Sequence, residues 1–212
     1  MKIAFVMHVF DERADEVAIN VAALKTFYPG AYIFLIYDGV SCQGHSDVIE
    51  CEFDRVKIPG KFGTFTHRYL KLCLDKTDCD YIIKIDPDTR IWNTVSYLPD
   101  PTLQTIFCRM TYNYIPHGGA LGYTRPMAKL LVDSGWLINE RLLCRHADHP
   151  HQDPIHKELI WAKQLHVQVR HDFGWIGYET ENTVFSHTGF RGKYVDDQHV
   201  RKNSKIIVDK HP

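Results

Sequence analysis

The chain has 212 residues, 44% hydrophobic and 24% charged, the make-up of one ordinary globular domain with enough chain to bury a core. A formal net charge of −1 excludes an electrostatic footprint for nucleic acid or an anionic membrane surface and leaves a small molecule as the expected partner. Cys42, Cys51, Cys73, Cys79, Cys108 and Cys144 show no C-x-x-C spacing, so they read as structural thiols of a reducing, cytoplasmic compartment, not a disulfide framework or a zinc site. His146, His149, His151 and His156 crowd together but match no metal-ligand spacing. The opening MKIAFVMHVF is too short to span a membrane and lacks a small-residue cleavage site, so it reads as a strand and not a signal peptide; no transmembrane segment is expected anywhere.

In chain order, residues 2–8 form a near-continuous apolar run, as a strand covered on both faces requires. Over 14–27, Val17, Ala18, Val21, Ala22 and Leu24 recur at helical spacing, and Pro29-Gly30 ends the helix. Residues 31–37 are a second strand running into Asp38-Gly39. The opening is thus β-α-β, a right-handed crossover that places Val9 to Asp11 and Asp38 at one end of a parallel sheet. It is a nucleotide-binding half without the G-x-G-x-x-G of a dinucleotide site. Residues 40–63 are polar, with a short strand expected near 53–58. Thr64 or Thr66 suits the cap of a helix reaching about residue 76, with Leu70, Leu72, Cys73 and Leu74 on the sheet and Arg68 and Lys71 reaching its end.

Next comes Y-I-I-K-I-D-P-D-T-R-I-W, residues 81–92. Residues 81–85 read as a buried strand closed by Pro87, which donates no ladder hydrogen bond. The strand delivers Asp86 and Asp88 to its C-terminal edge, where ligands bind in open α/β sheets. Two carboxylates one residue apart on a stiff bend suit a hard divalent cation, Mg²⁺ or Mn²⁺, completed by substrate phosphates. The same triplet is also an ordinary turn, with Asp capping and Pro setting φ. Beyond it, 105–110 reads as a strand, and His117-Gly118-Gly119-Ala120 permits close backbone approach to a ligand or a positive-φ turn. A helix is expected over 126–134, another from Pro154 to about residue 164 with Asp153 as its N-cap, and a strand over 165–170. Residues 194–212 read as a mixed-charge tail cut from a longer protein.

The β-α-β start, the aspartate closing the second strand, the basic helix and the apolar strand ending in D-x-D together resemble the GT-A glycosyltransferases that use nucleotide sugars. More narrowly the chain is similar to the group containing glycogenin and the lipooligosaccharide galactosyltransferases. Its counterparts of that group's motifs are Asp86-Pro87-Asp88, His151-Gln152-Asp153, and the run from His187 to Lys193, H-T-G-F-R-G-K. The stretch 21–41 is alike too. Three departures stand out: His151 replaces the first acid of the D-Q-D pattern, Gly189 falls one position early, and no Pro-Trp follows Lys193.

The resemblance implies one α/β domain of GT-A type: a central, mostly parallel mixed sheet flanked by helices, with a Rossmann-like nucleotide-sugar half at 1–92 and an acceptor and catalytic half at 93–193. It implies transfer of a sugar from a nucleoside diphosphate donor, UDP-linked, to a hydroxyl of a glycan or glycoconjugate, retaining in preference to inverting. Asp86 and Asp88 would hold Mn²⁺ or Mg²⁺ with His187 as third ligand, an imidazole that tilts the preference toward Mn²⁺. Lys193, with Arg68 or Lys71, would bind the diphosphate, although a solvated helix face accounts equally for the latter two. Asp38 and the backbone at His8, Val9 and Phe10 would hold the nucleoside, while an Asp-Gly turn explains Asp38 as well. Gly118 and Gly119 would floor the sugar or acceptor pocket. Asp153 is general base in an inverting course; in a retaining one Gln152 or Asp153 steadies an oxocarbenium-like centre.

Two other classes stay open. The run before D-x-D also resembles motif one of the haloacid-dehalogenase phosphatases, although Arg90 stands where Thr or Val is wanted and a whole β-α-β unit precedes it. The other is a carbohydrate- or nucleotide-binding domain without turnover.

Overall fold

The computed structural model describes residues 1–9, 14–53, 62–95, 97–110, 116–138, 154–175 and 182–187. The chain opens with β1 (Ile3–Val9), α1 (Ala14–Phe27) and β2 (Tyr32–Asp38), then β3 (Ile49–Phe53), α2 (Phe62–Lys76) and β4 (Tyr81–Ile85). There follow β5 (Thr89–Ile91), β6 (Thr105–Met110), β7 (Pro116–Thr124), α3 (Arg125–Ser134) and a 3₁₀ turn at Trp136–Ile138. The last elements are α4 (Pro154–Lys163), β8 (His166–Val169), β9 (Phe173–Trp175) and β10 (Phe185–His187).

Seven strands form the main sheet in the order β3-β2-β1-β4-β7-β6-β8. β1 pairs parallel with β2 and β4, and β2 with β3. β7 alone runs against its neighbours β4 and β6, while β8 is parallel to β6. The mixed, mostly parallel sheet expected from the sequence is therefore present. A smaller sheet, β5-β10-β9, packs beside it.

Strict alternation along the central strands sorts the core into two layers. Phe5, Met7, Leu35, Tyr37, Ile83 and Ile85 pack with Val17, Val21 and Leu24 of α1 and with Ile91, Phe173 and Phe185 of the small sheet. Val6, Phe34, Ile36 and Ile82 pack with Phe65, Tyr69, Leu70 and Cys73 of α2 and Met127 and Leu131 of α3. Apolar burial on both faces is why β1 and β2 read as unbroken hydrophobic runs.

The structure corrects several local expectations. The strand expected near 53–58 is β3 instead, an edge strand whose half-exposed I-E-C-E-F gives little apolar signal. Its Glu50 is held by the Tyr37 hydroxyl at 2.8 Å and by the N–H groups of Gly44 and His45 at 2.9 and 3.1 Å, so an acid in a strand is fully employed. Thr64 and Thr66 lie inside α2 and do not cap it, because the helix starts at Phe62. On α1, Ala18 and Ala22 face solvent while Glu16 and Asn20 are buried. The paired glycines lie within the nine-residue β7, and Gly119 does not take a positive φ, so the ladder to β4 replaces the turn. The fourth helix begins at Pro154 as expected; Asp153 lies outside the described residues.

Candidate active site

At the C-terminal rim of the sheet, the layer facing α2 changes from apolar to polar on three adjacent strands. Ala4 and Val6 of β1 are followed on the same face by His8, Phe34 and Ile36 of β2 by Asp38, and Ile82 of β4 by Lys84 and Asp86. His8 and Asp38 are buried, with His8 Nε2 3.1 Å from Asp38 Oδ2. The His8 ring stacks on Phe65 at 3.8 Å between centroids and 25° between planes. Burial pushes the His8 pKa below its ordinary value, opposed by the hydrogen bond to Asp38. The charges of Lys84 and Asp86 also act on His8, the first lowering and the second raising its pKa. These four side chains therefore form one electrostatic group.

Asp86 and Asp88 sit on the turn that carries the chain from β4 of the main sheet to β5 of the small one. The turn closes through Thr89 N–H to Asp86 C=O at 2.9 Å, with Pro87 and Asp88 as its central residues. Gly119 holds both ends: its carbonyl accepts from Asp86 N–H at 3.1 Å and from Thr89 Oγ1 at 2.8 Å. Asn20, fully buried on α1, donates from Nδ2 to Pro87 C=O at 2.6 Å. The turn reading of D-P-D and the site reading are thus compatible, since the turn itself presents the two acids.

Asp88 is buried and Asp86 half-buried, the latter paired with Lys84. Residue 187 ends β10, whose register sets it opposite Thr89, one step from Asp88. The strand order thereby brings the backbone of His187 beside the D-P-D turn although roughly a hundred residues separate them in sequence. Among the described side chains no three His, Cys, Asp or Glu groups converge on one point.

The other expected residues divide. Val9 is buried at the end of β1 next to Tyr37. Gly118 and Gly119 flank the turn as β7 backbone and act, through the Gly119 carbonyl, as its support. Arg68 is exposed on α2, its guanidinium 5.8 Å from the Phe53 ring centroid. Lys71, also exposed, pairs with Asp75 at 2.8 Å on the solvent face. It lies about 9 Å farther along the helix than Phe65, which touches His8. Phe10, Gln152, Asp153 and Lys193 lie outside the described residues. Sequence reasoning missed Asn20, Phe65, Lys84 and Thr89; a polar residue on the core-facing stripe of a helix, or a charge inside an apolar strand, was the available signal for Asn20 and Lys84.

No family profile and no curated protein matches the chain. Among solved structures, the fold is similar to that of the galactosyltransferase LgtC in complex with donor and acceptor sugar analogs. The TM-score is 0.60 at 13% identity, over 100% of this chain and 98% of that one. The apo-form glycosyltransferase GlyE of Streptococcus pneumoniae gives a TM-score of 0.65 at 12% identity, over 99% of this chain and 63% of that one. An active-site mutant of LgtC gives 0.59 at 12% identity, over 100% and 98% of the two chains. The chain therefore has the GT-A-like fold of these glycosyltransferases.

Proposed function

We propose that the protein is a glycosyltransferase that moves a sugar from a nucleoside diphosphate donor, UDP-linked, to a hydroxyl of a glycan or glycoconjugate. The observation that carries the reading is the D-P-D turn. Asp86 and Asp88 stand at the carboxyl rim of a GT-A-like sheet, beside the buried His8–Asp38 pair, which is where an α/β sheet binds its ligand. The solved neighbour that holds donor and acceptor sugar analogs supports the same substrate class.

In this reading Asp86 and Asp88, with His187, hold Mn²⁺ or Mg²⁺; two carboxylates, one of them buried, on a turn tied down at three points fit such an ion. Bound there, the ion supplies stabilisation of the negative charge that develops on the departing β-phosphate. Asp38, held by His8, would accept from the ribose or base. Lys193 binds the diphosphate. Gln152 or Asp153 steadies the positive charge of an oxocarbenium-like anomeric centre in a retaining course, which we favour over an inverting one with Asp153 as base. Among the described residues no helix is long and apolar enough to cross a membrane. The buried thiols of Cys73, Cys79 and Cys108, none of them in a disulfide, fit a reducing cytoplasm.

A thermal-shift panel of UDP, GDP and CMP sugars with and without Mn²⁺ tests the proposal. Stabilisation by a UDP-sugar that requires the ion is expected, by mass action on the native state. Asp88→Asn should abolish it. Phosphate release from phosphomonoesters without any nucleotide effect would overturn it in favour of a phosphatase. Nucleotide-sugar binding with no nucleoside diphosphate released over a range of acceptors would reduce the protein to a binding domain.

A further inference from the structure

We propose that Lys84 is a built-in counter-cation of Asp86 that competes with a divalent ion for that carboxylate and so sets how tightly the D-P-D turn binds one. This inference rests on the cation reading above and concerns the regulation of the same site.

Lys84 is out of place in its strand. Its four companions in β4 are apolar and buried, and its own side chain is only 15% exposed. An ammonium so far removed from water needs a partner to offset its desolvation. Its Nζ bonds Oδ1 of Asp86, two residues on along the same face. The pair is not a stray surface contact: the β1–β4 register sets Val6 opposite Lys84 and Met7 opposite Ile85, so that His8 and Asp86 are the next residues at the same rim. Among the described residues, His8 of β1, Asp38 of β2 and Phe65 of α2 lie at the same rim.

A carboxylate already compensated by an ammonium offers less to a second cation. An ion arriving at Asp86 either displaces Nζ or sits within a few ångströms of it, and like charges at that range repel appreciably even in high dielectric. Lysine suits this arrangement, since its flexible stem lets the charge swing aside while the strand stays in register.

The test measures Mn²⁺ affinity in the presence of UDP, by calorimetry and by thermal shift, for the native chain, Lys84→Met, Lys84→Arg and the pair Lys84→Met/Asp88→Asn. Lys84→Met keeps the stem and removes the charge, and should bind Mn²⁺ roughly tenfold more tightly. Lys84→Arg should stay within about twofold of the native chain. Adding Asp88→Asn should abolish binding, which ties the gain to this turn. Equal or weaker binding by Lys84→Met, or equal tightening by Lys84→Arg, overturns the counter-cation role and leaves the cation reading standing. Absence of Mn²⁺ binding in every variant overturns both. Should Lys84→Met not fold, as judged by circular dichroism, Lys84→Gln carries the same expectation.

Discussion

Replacing Gly122 with alanine should destabilise the centre of the sheet through one contact. Gly122 of β7 lies between Ile83 of β4 and Phe107 of β6, and the Phe107 ring covers it. A methyl group there would sit 2.1 Å from Phe107 Cε2 and Cζ and 2.6 Å from Cδ2, whereas carbon atoms pack at about 3.5–4.0 Å. The ring must retreat by more than about 1 Å, and it has little room. It is fully buried, with Tyr81 6.1 Å and Phe173 6.4 Å away between centroids. Overpacking of this kind costs about 1–3 kcal/mol. The immobility of the ring places Gly122→Ala in the upper part of that range, about 2–3 kcal/mol. For a chain of this size that is a fall in Tm of roughly 4–12 °C, read by circular dichroism with urea unfolding alongside. Gly122→Ala/Phe107→Leu should recover part of the loss, since the two sites share the strained contact. A Tm unchanged by Gly122→Ala, or strict additivity in the double variant, would refute the reasoning.

Asn20→Leu should cost about 1–3 kcal/mol in urea unfolding, because it leaves the Pro87 carbonyl buried without its 2.6 Å donor; an unchanged midpoint would mean that the turn holds itself. His8 has a folded pKa below its ordinary value near 6.5, so the unfolded chain takes up a proton that the folded chain refuses. Stability should therefore be full above that value and fall as pH drops through it, and His8→Gln should flatten a Tm profile taken from pH 7.5 down to 5. Arg125 donates to Thr77 and Cys79 carbonyls at 3.0 and 3.2 Å and to Leu74 at 3.3 Å, closing the C-terminus of α2. Arg125→Met should lower stability by about 2 kcal/mol, with hydrogen exchange accelerated first in the last turn of α2.

Where burial on both faces leaves a continuous apolar signal, as in β1, β2, β4 and β6, the strands were legible to within a residue or two. The same holds for α1 and α3, whose ends are marked by Pro29-Gly30 and by Pro126 with Gly135 at φ 65°. What escaped are elements whose reason for existing is tertiary. β7 contains P-H-G-G and alternates weakly, and it is a strand because β4 and β6 flank it on both sides. β5, β9 and β10 are three residues each and, among the described residues, pair with one another alone. At the site, D-P-D announced itself by composition, and His8 was expected only through its backbone. Its imidazole is instead the Asp38 partner, since that contact depends on β1 and β2 ending in register. Lys84 escaped as well, although a lone charge inside an apolar strand is itself a sign that something charged lies beside it.

The small sheet has its middle strand at the far end of the described chain. β10 joins β5 to β9, so among the described residues neither outer strand meets a ladder partner until residues beyond 184 have been synthesised and folded back. Closing so long a loop is entropically costly and slow. The seven-stranded sheet, whose ladder requires nothing past β8, can be complete beforehand. During synthesis the protein would accordingly pass through a stage with a finished seven-stranded sheet and an open second one, which β10 completes last.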